Sequence, residues 1–181
     1  MGLSCIKSLK SGCKQVLLNI FIYWYSKTLL PTSLIREISN KAKLIVLCKS
    51  LKACGKLLSV QFPVTIVNPH MIEIGDNVSI AAYVHMWGKG GINIGNRVMI
   101  GSHTAIASLT HDYSKEIMFD TLIEKNVFIE DDVWIGTHCI ILPGIRIGKG
   151  AVVGAGTVVT TNVPPNTIFS GVPGQIRKQR I

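Results

Sequence analysis

Acidic residues are nearly absent from the first third of this chain. Residues 1–60 hold one acid, Glu37, against ten lysines and arginines, whereas residues 61–181 hold nine of each sign. The net charge of +9 therefore sits entirely in the N-terminal third, and the body is neutral. That asymmetry points the N-terminal segment at an anionic partner, a membrane surface ahead of nucleic acid. Long apolar runs are missing as well. Val16 to Tyr25 is apolar except for Asn19, which falls short of the ~20 residues a helix needs to cross a bilayer. No small-residue cleavage site follows, so no signal peptide is expected, and Met1-Gly2-Leu3-Ser4-Cys5-Ile6 lacks the Ser/Thr of a myristoylation site. Cysteines are few and odd in number (Cys5, Cys13, Cys48, Cys54, Cys139) and show no C-x-x-C spacing. They fit a reducing compartment and offer no zinc site.

What the chain does have is a period of six. Ile129, Ile135, Ile141, Ile147, Val153 and Val159 are aliphatic at strict spacing, and Val133, Cys139, Ile145, Ala151 and Thr157 form a second apolar or small column. Neither a 3.6-residue helix nor simple alternation explains both columns. Six residues per flat face and three faces per turn give a parallel β-helix, an all-β repeat architecture. Four segments match in register: Ile74-Gly75-Asp76-Asn77-Val78, Ile94-Gly95-Asn96-Arg97-Val98, Ile129-Glu130-Asp131-Asp132-Val133 and Ile147-Gly148-Lys149-Gly150-Ala151. Their starts lie 20, 35 and 18 residues apart. With an 18-residue coil, the first interval carries two extra residues around Gly88–Gly91. The second carries 17, extruded as a long loop over 107–125. Such loops are uncommon in compact domains and are often functional.

The division expected is an N-terminal helical segment, 1–57, and a β-helix domain, 58–181, ending in a basic tail, 172–181. Residues 4–26 read as an amphipathic helix with Lys7, Lys10 and Lys14 on one stripe. It either lies in a membrane interface or packs on the β-helix end or another subunit. Pro31 breaks the chain, Thr32 or Ser33 caps, and a second helix over 33–53 is ended by Gly55.

The Ile-Gly-x-x-x-x repeats, the loop opening Thr110-His111, Val133-Trp134-Ile135-Gly136, Leu142-Pro143-Gly144, Gly154-Ala155-Gly156, Val163-Pro164-Pro165-Asn166 and Gly171-Val172-Pro173 follow in order. Over roughly 60–181 the sequence resembles the hexapeptide-repeat acyltransferases of the maltose/galactoside O-acetyltransferase type. It is especially similar to the branch that acetylates capsule and O-antigen polysaccharides. The resemblance implies a left-handed β-helix, a homotrimer with each site between two subunits, and acetyl-CoA as co-substrate without a metal. It also implies a carbohydrate acceptor; no nucleic-acid partner is expected. Handedness comes from the resemblance, because ordinary crossovers are right-handed in about 98% of cases.

Moving an acetyl group to a sugar hydroxyl requires a base, and a positioned imidazole is worth ~10²–10⁴-fold. The resemblance gives that role to His111, with Asp112, Glu116 or a backbone carbonyl to orient the ring. It implies donor contacts at Trp134, Thr137, Ala155, Thr160, Thr161 and Lys178; Arg177, Lys178 and Arg180 are read either as a set of phosphate groups or as a solvated basic tail. The family often has Lys at position 161 and Arg at position 175, where this chain has Thr161 and Gln175. Tyr83, His85 and Trp87, with Asp112 and Tyr113, are read as acceptor contacts, or as a surface covered by another subunit. His103 and His138 fall nine residues into their coils and should stack in line. Histidine spacings of 15, 18, 8 and 27 contain no pair five apart, so the zinc site of γ-type carbonic anhydrases is not expected. Cys139, in the inward column, is read as structural. The expected location is the cytoplasm, at the inner membrane face if residues 4–26 bind lipid. The alternatives are a soluble acetyltransferase for small sugars, nucleotide-sugars or antibiotics, and a non-catalytic β-helix scaffold.

Overall fold

The computed structural model describes residues 32–180; the helix expected over 4–26, with Cys5 and Cys13, lies outside the described residues. The chain divides into a unit of residues 1–43 and a unit of residues 44–181. Helix α1 (Thr32–Ser50) begins in the first and ends in the second. It stops short of the expected residue 53. The Lys52 amide is taken by the Ile72 carbonyl at 3.0 Å, so the chain leaves the helix to pair as a strand, Ala53–Cys54. The solenoid thus begins ahead of residue 58. Leu44, Leu47 and Cys48 pack on its core. Cys48 and Cys54, with Cα atoms 5.3 Å apart, are joined as a disulfide, a pairing that a reading of reduced cysteines does not anticipate. Among the described residues no helix is long and apolar enough to cross a membrane.

The body is a left-handed parallel β-helix with three faces. Face A stacks the strands Ala53–Cys54, Ile72–Ile74, Ile92–Ile94, Val127–Ile129 and Arg146–Ile147. Face B stacks Ser59–Val60, Ser79–Ile80, Met99–Ile100, Trp134–Ile135, Val152–Val153 and Thr167–Gly171, and Gly174–Gln179 turns back antiparallel as its edge. Face C stacks Thr65–Val67, His85–Trp87, Ala105–Ala107, Ile140–Ile141 and Val158–Val159. Each strand puts one or two side chains inward, which is why the period is six. The first sequence column is at most 2% exposed, and the second at most 5%. At ~1.5–3 kcal/mol for each fully buried aliphatic side chain, these columns are the main source of stability.

The corners carry the strain. Asn77, Arg97, Asp132 and Gly150 adopt positive φ between faces A and B, and Tyr83, His103, His138 and Gly156 do so between B and C. The recurrent Ile-Gly has a different cause: a Cβ on Gly75 would lie 2.7 Å from Asn96 Oδ1 and 2.8 Å from the Gly95 backbone. Close stacking, rather than a left-handed backbone, excludes a side chain there.

The 17-residue excursion is no irregular loop. Leu109–His111 and Leu122–Glu124 pair antiparallel, His111 opposite Leu122, to make a hairpin leaving the corner between faces C and A. Its base is fixed by Ser108, whose hydroxyl donates to the Trp87 carbonyl at 2.7 Å and accepts from the Gly90 amide at 2.9 Å. Lys89 and Glu124 pair at 3.3 Å. The two-residue excess at Gly88–Gly91 and the long excess are therefore one feature, a notch and the hairpin seated in it.

Candidate active site

Strand register sets a row on the outer surface of face B: Ser79, Met99, Trp134, Val152, Ile168 and Lys178 are successive partners. Trp134 is half exposed. Beside it, at the B–C corner, lies a groove of about 340 Å³ lined by Trp134, Thr137, Ala155 and the glycines 101, 136 and 154. The glycines are steric: a Cβ on Gly136 would stand 2.6 Å from the Ala155 amide nitrogen. The floor is thus backbone, and a narrow chain can lie on it. Three expected donor residues, Trp134, Thr137 and Ala155, come together here. Gly101, Gly136 and Gly154 are not among the expected donor residues, and their recurrence one residue after an inward aliphatic is the sequence signal that marks them.

His111 is exposed on the hairpin, and its Nδ1 lies 3.1 Å from the Met118 carbonyl oxygen. Of the orienting groups considered, the backbone carbonyl holds the ring. The same oxygen accepts from the Thr121 hydroxyl at 2.6 Å, which fixes it in place. Nothing in the residue type of Met118 signals this. Asp112 faces elsewhere: its carboxylate accepts from the Ser114 hydroxyl at 2.6 Å and amide at 3.0 Å, and those bonds hold it below the usual carboxylate range. Tyr113, Ile117 and Phe119 project at the hairpin tip, each at least 75% exposed.

The hairpin and the groove stand at opposite ends of face C. Its strands of two or three residues separate the two corners by roughly 10 Å at ~3.3 Å per residue, before the length of the hairpin is added. Thr160 and Thr161 directly follow the face C strand Val158–Val159, so they belong to the hairpin's corner and not to the groove. Lys178 ends the Trp134 row on the edge strand. Arg177 Nε donates to Ser170 Oγ at 2.9 Å, and Arg180 Nη1 donates to the Gly150 carbonyl at 2.9 Å.

His103 and His138 do stack in line, and Tyr83 joins them, so its ring is committed to that column. His85 meets Trp87 edge-on at 5.4 Å on the outside of face C. Cys139 is fully buried, donates to the Gly154 carbonyl at 3.1 Å, and has its thiol pushed up by burial, as suits an inert core group. Among the described residues no three His, Cys, Asp or Glu side chains gather to hold a metal ion.

Residues 126–161 match the family described as bacterial transferase hexapeptide (six repeats). A galactoside O-acetyltransferase of Lactococcus lactis subsp. lactis (strain IL1403) is 39% identical, over 49% of this chain and 43% of that protein. An Escherichia coli (strain K12) protein named for lipopolysaccharide biosynthesis O-acetyl transfer is 36% identical, over 60% of this chain and 61% of that protein. The chain spans about half the length of the curated relatives it matches. In structure it resembles a hexapeptide-repeat containing acetyltransferase from Vibrio cholerae, with a TM-score of 0.74 and 30% identity, over 97% of this chain and 93% of that one. The complex of that protein with acetyl coenzyme A superposes with a TM-score of 0.74 at 28% identity, over 94% and 91% of the two chains.

Proposed function

The chain belongs to the hexapeptide-repeat transferase family, and within it we propose that this protein moves an acetyl group from acetyl-CoA to a hydroxyl of a carbohydrate, in a surface-polysaccharide precursor of the capsule or O-antigen type. The observation that carries the reading is the bond between His111 and the Met118 carbonyl. A neutral imidazole that donates from Nδ1 has its lone pair on Nε2, and Nε2 is then the base. His111 takes the hydroxyl proton as the oxygen attacks the thioester carbon. The carbon–sulfur bond breaks, CoA leaves as thiolate, and the proton held on Nε2 passes to that sulfur.

The donor suits the groove. Its backbone floor and the Trp134 indole accept a thin, mostly apolar arm, and Lys178 stands three strands along the same row, ~14 Å away at ~4.8 Å per strand. With Arg177 and Arg180 engaged elsewhere, Lys178 is the group to hold a donor phosphate by a charge-assisted bond. The Vibrio relative crystallised with acetyl coenzyme A supports this choice, and the galactoside and lipopolysaccharide relatives support the acceptor class.

His111 stands away from its own groove, so a second copy supplies it. In the proposed homotrimer, each site takes the groove from one copy and the C–A corner from the next, which brings His111 together with Thr160 and Thr161. His85, Trp87 and Tyr113 are then the acceptor's contacts. His111→Ala should cut transfer to a pyranoside at least ~10²-fold while CoA still binds. Unchanged transfer would remove His111 as the base, and no transfer by the unaltered protein would leave a scaffold. The cationic residues 1–60 favour a cytoplasmic enzyme at the inner membrane face, beside a lipid-linked acceptor. Cosedimentation with anionic vesicles should fall when residues 1–30, which hold four of the ten basic groups, are removed, and unchanged binding would take the membrane out of the account.

A further inference from the structure

At the corner between faces B and C, three rings stand in one column. Tyr83, His103 and His138 hold the same corner position in successive coils, with φ of 63°, 61° and 57°. The Tyr83 and His103 rings stack at 4.8 Å and 22°, and those of His103 and His138 at 4.7 Å and 1°. One coil higher, the position belongs to Gly156, with φ 71° and therefore the same backbone. A Cβ built on Gly156 meets no atom within 4 Å. The column thus ends in an uncovered imidazole face below a space one coil high, ~4.8 Å. That height fits one flat group in stacking contact.

The matching place at the A–B corner shows that an open top is no general property of the fold. There the fourth position is Gly150, φ 70°, and its Cβ would meet Asn166 Oδ1 at once and Arg180 Nη1 at 3.5 Å. One corner is closed by side chains and the other is open. The open one adjoins the groove, because Thr137 and Ala155, which line it, immediately precede His138 and Gly156.

With the donor running from Lys178 toward Trp134, the stretch beside Gly156 falls between its phosphates and its thioester. That stretch is the pantetheine arm, whose flat, conjugated groups are its two amides. We propose that the uncovered face of His138 is a stacking platform for an amide plane of the pantetheine arm, seated above Gly156. The assignment rests on the reading of the groove as the acetyl-CoA site. It makes His138 a positioning residue that acts on the donor's arm and takes no part in proton transfer.

Two ligands separate the arm from the nucleotide: CoA, which has it, and adenosine 3′,5′-bisphosphate, which does not. Calorimetry on the full-length protein should show His138→Ala weakening CoA about 5- to 10-fold while the bisphosphate is unaffected. His138→Phe, which keeps a flat face, should restore most of the CoA affinity. Gly156→His should add a fourth ring, since histidine already occupies this backbone at two positions, and should weaken CoA at least as much with no loss of thermal stability. Equal weakening of both ligands, or no change in either, would overturn the platform. If the unaltered protein binds neither ligand, the donor reading fails first, and that result is distinct from a failure of the platform.

Discussion

The two inter-strand corners A–B and B–C share one backbone and differ in the polar and ring-bearing side chains attached to it. At A–B, polar side chains bond the backbone of the coil below: Asp76 Oδ1 accepts from the Lys56 amide at 2.6 Å, Asn96 Oδ1 from the Asp76 amide at 2.8 Å, and Asp131 Oδ1 from the Asn96 amide at 2.8 Å. Arg97 grips Asp132 through two bonds of 2.6 and 2.9 Å. At the B–C corner Thr104 Oγ1 donates to the Gly136 carbonyl at 3.0 Å, but the outer surface carries small side chains and stacked rings in place of ion pairs. A corner whose groups bond one another is committed to holding coils together. A corner of bare backbone and ring faces keeps its surface for a ligand.

Glycine substitution tests this contrast most severely. Gly75→Ala should lower stability by about 1–3 kcal/mol, because its Cβ meets Asn96 and the Gly95 backbone at 2.7–2.8 Å. Gly156→Asn should change it by less than ~0.5 kcal/mol, since asparagine tolerates positive φ and the space is open. Equal thermal shifts in the two variants would mean that the space beside Gly156 is not open. Next in size, Asp131→Ala should cost about 1 kcal/mol by leaving the Asn96 amide without its acceptor.

The Asp131 carboxyl lies below its usual range, first because of that amide bond, and Arg97 holds the Asp132 carboxyl below its usual range as well. A depressed carboxyl stabilises the fold above its unfolded pKa of about 3.9, and the contribution is lost as pH falls through the lower folded value. Acid titration of the unfolding free energy should therefore fall less steeply in Asp131→Asn than in the unaltered chain. The smallest effect belongs to Arg97→Ala. Its ion pair is exposed, so the change should fade as salt is raised.

Much of this contrast was legible in the chain. The two aliphatic columns mark the interior correctly because a strand of two or three residues leaves no choice of which side chain turns inward. The shared offset of His103 and His138 locates their stack for the same reason. Counting residues also locates the hairpin, but not its strands, because the pairing of Leu109–His111 with Leu122–Glu124 is made through backbone atoms that residue types barely encode. The Met118 carbonyl escapes for the same cause. Asp112 misleads because adjacency to His111 in sequence says nothing of Ser114, which captures the carboxylate. The Cys48–Cys54 pairing depends on where α1 stops, and a competing rung bond at Lys52 decides that point.

The central claim is that His111 of one copy works on the groove of another, and subunit mixing tests it most directly. His111→Ala chains and Ala155→Trp chains, whose groove is filled, should each be inactive alone. Unfolded and reassembled together in equal amounts, they should recover roughly a quarter of the normal transfer rate, the share of sites that draw an intact hairpin and an intact groove from different copies. A mixture no more active than either parent, while assembling to the normal mass, would contradict the account.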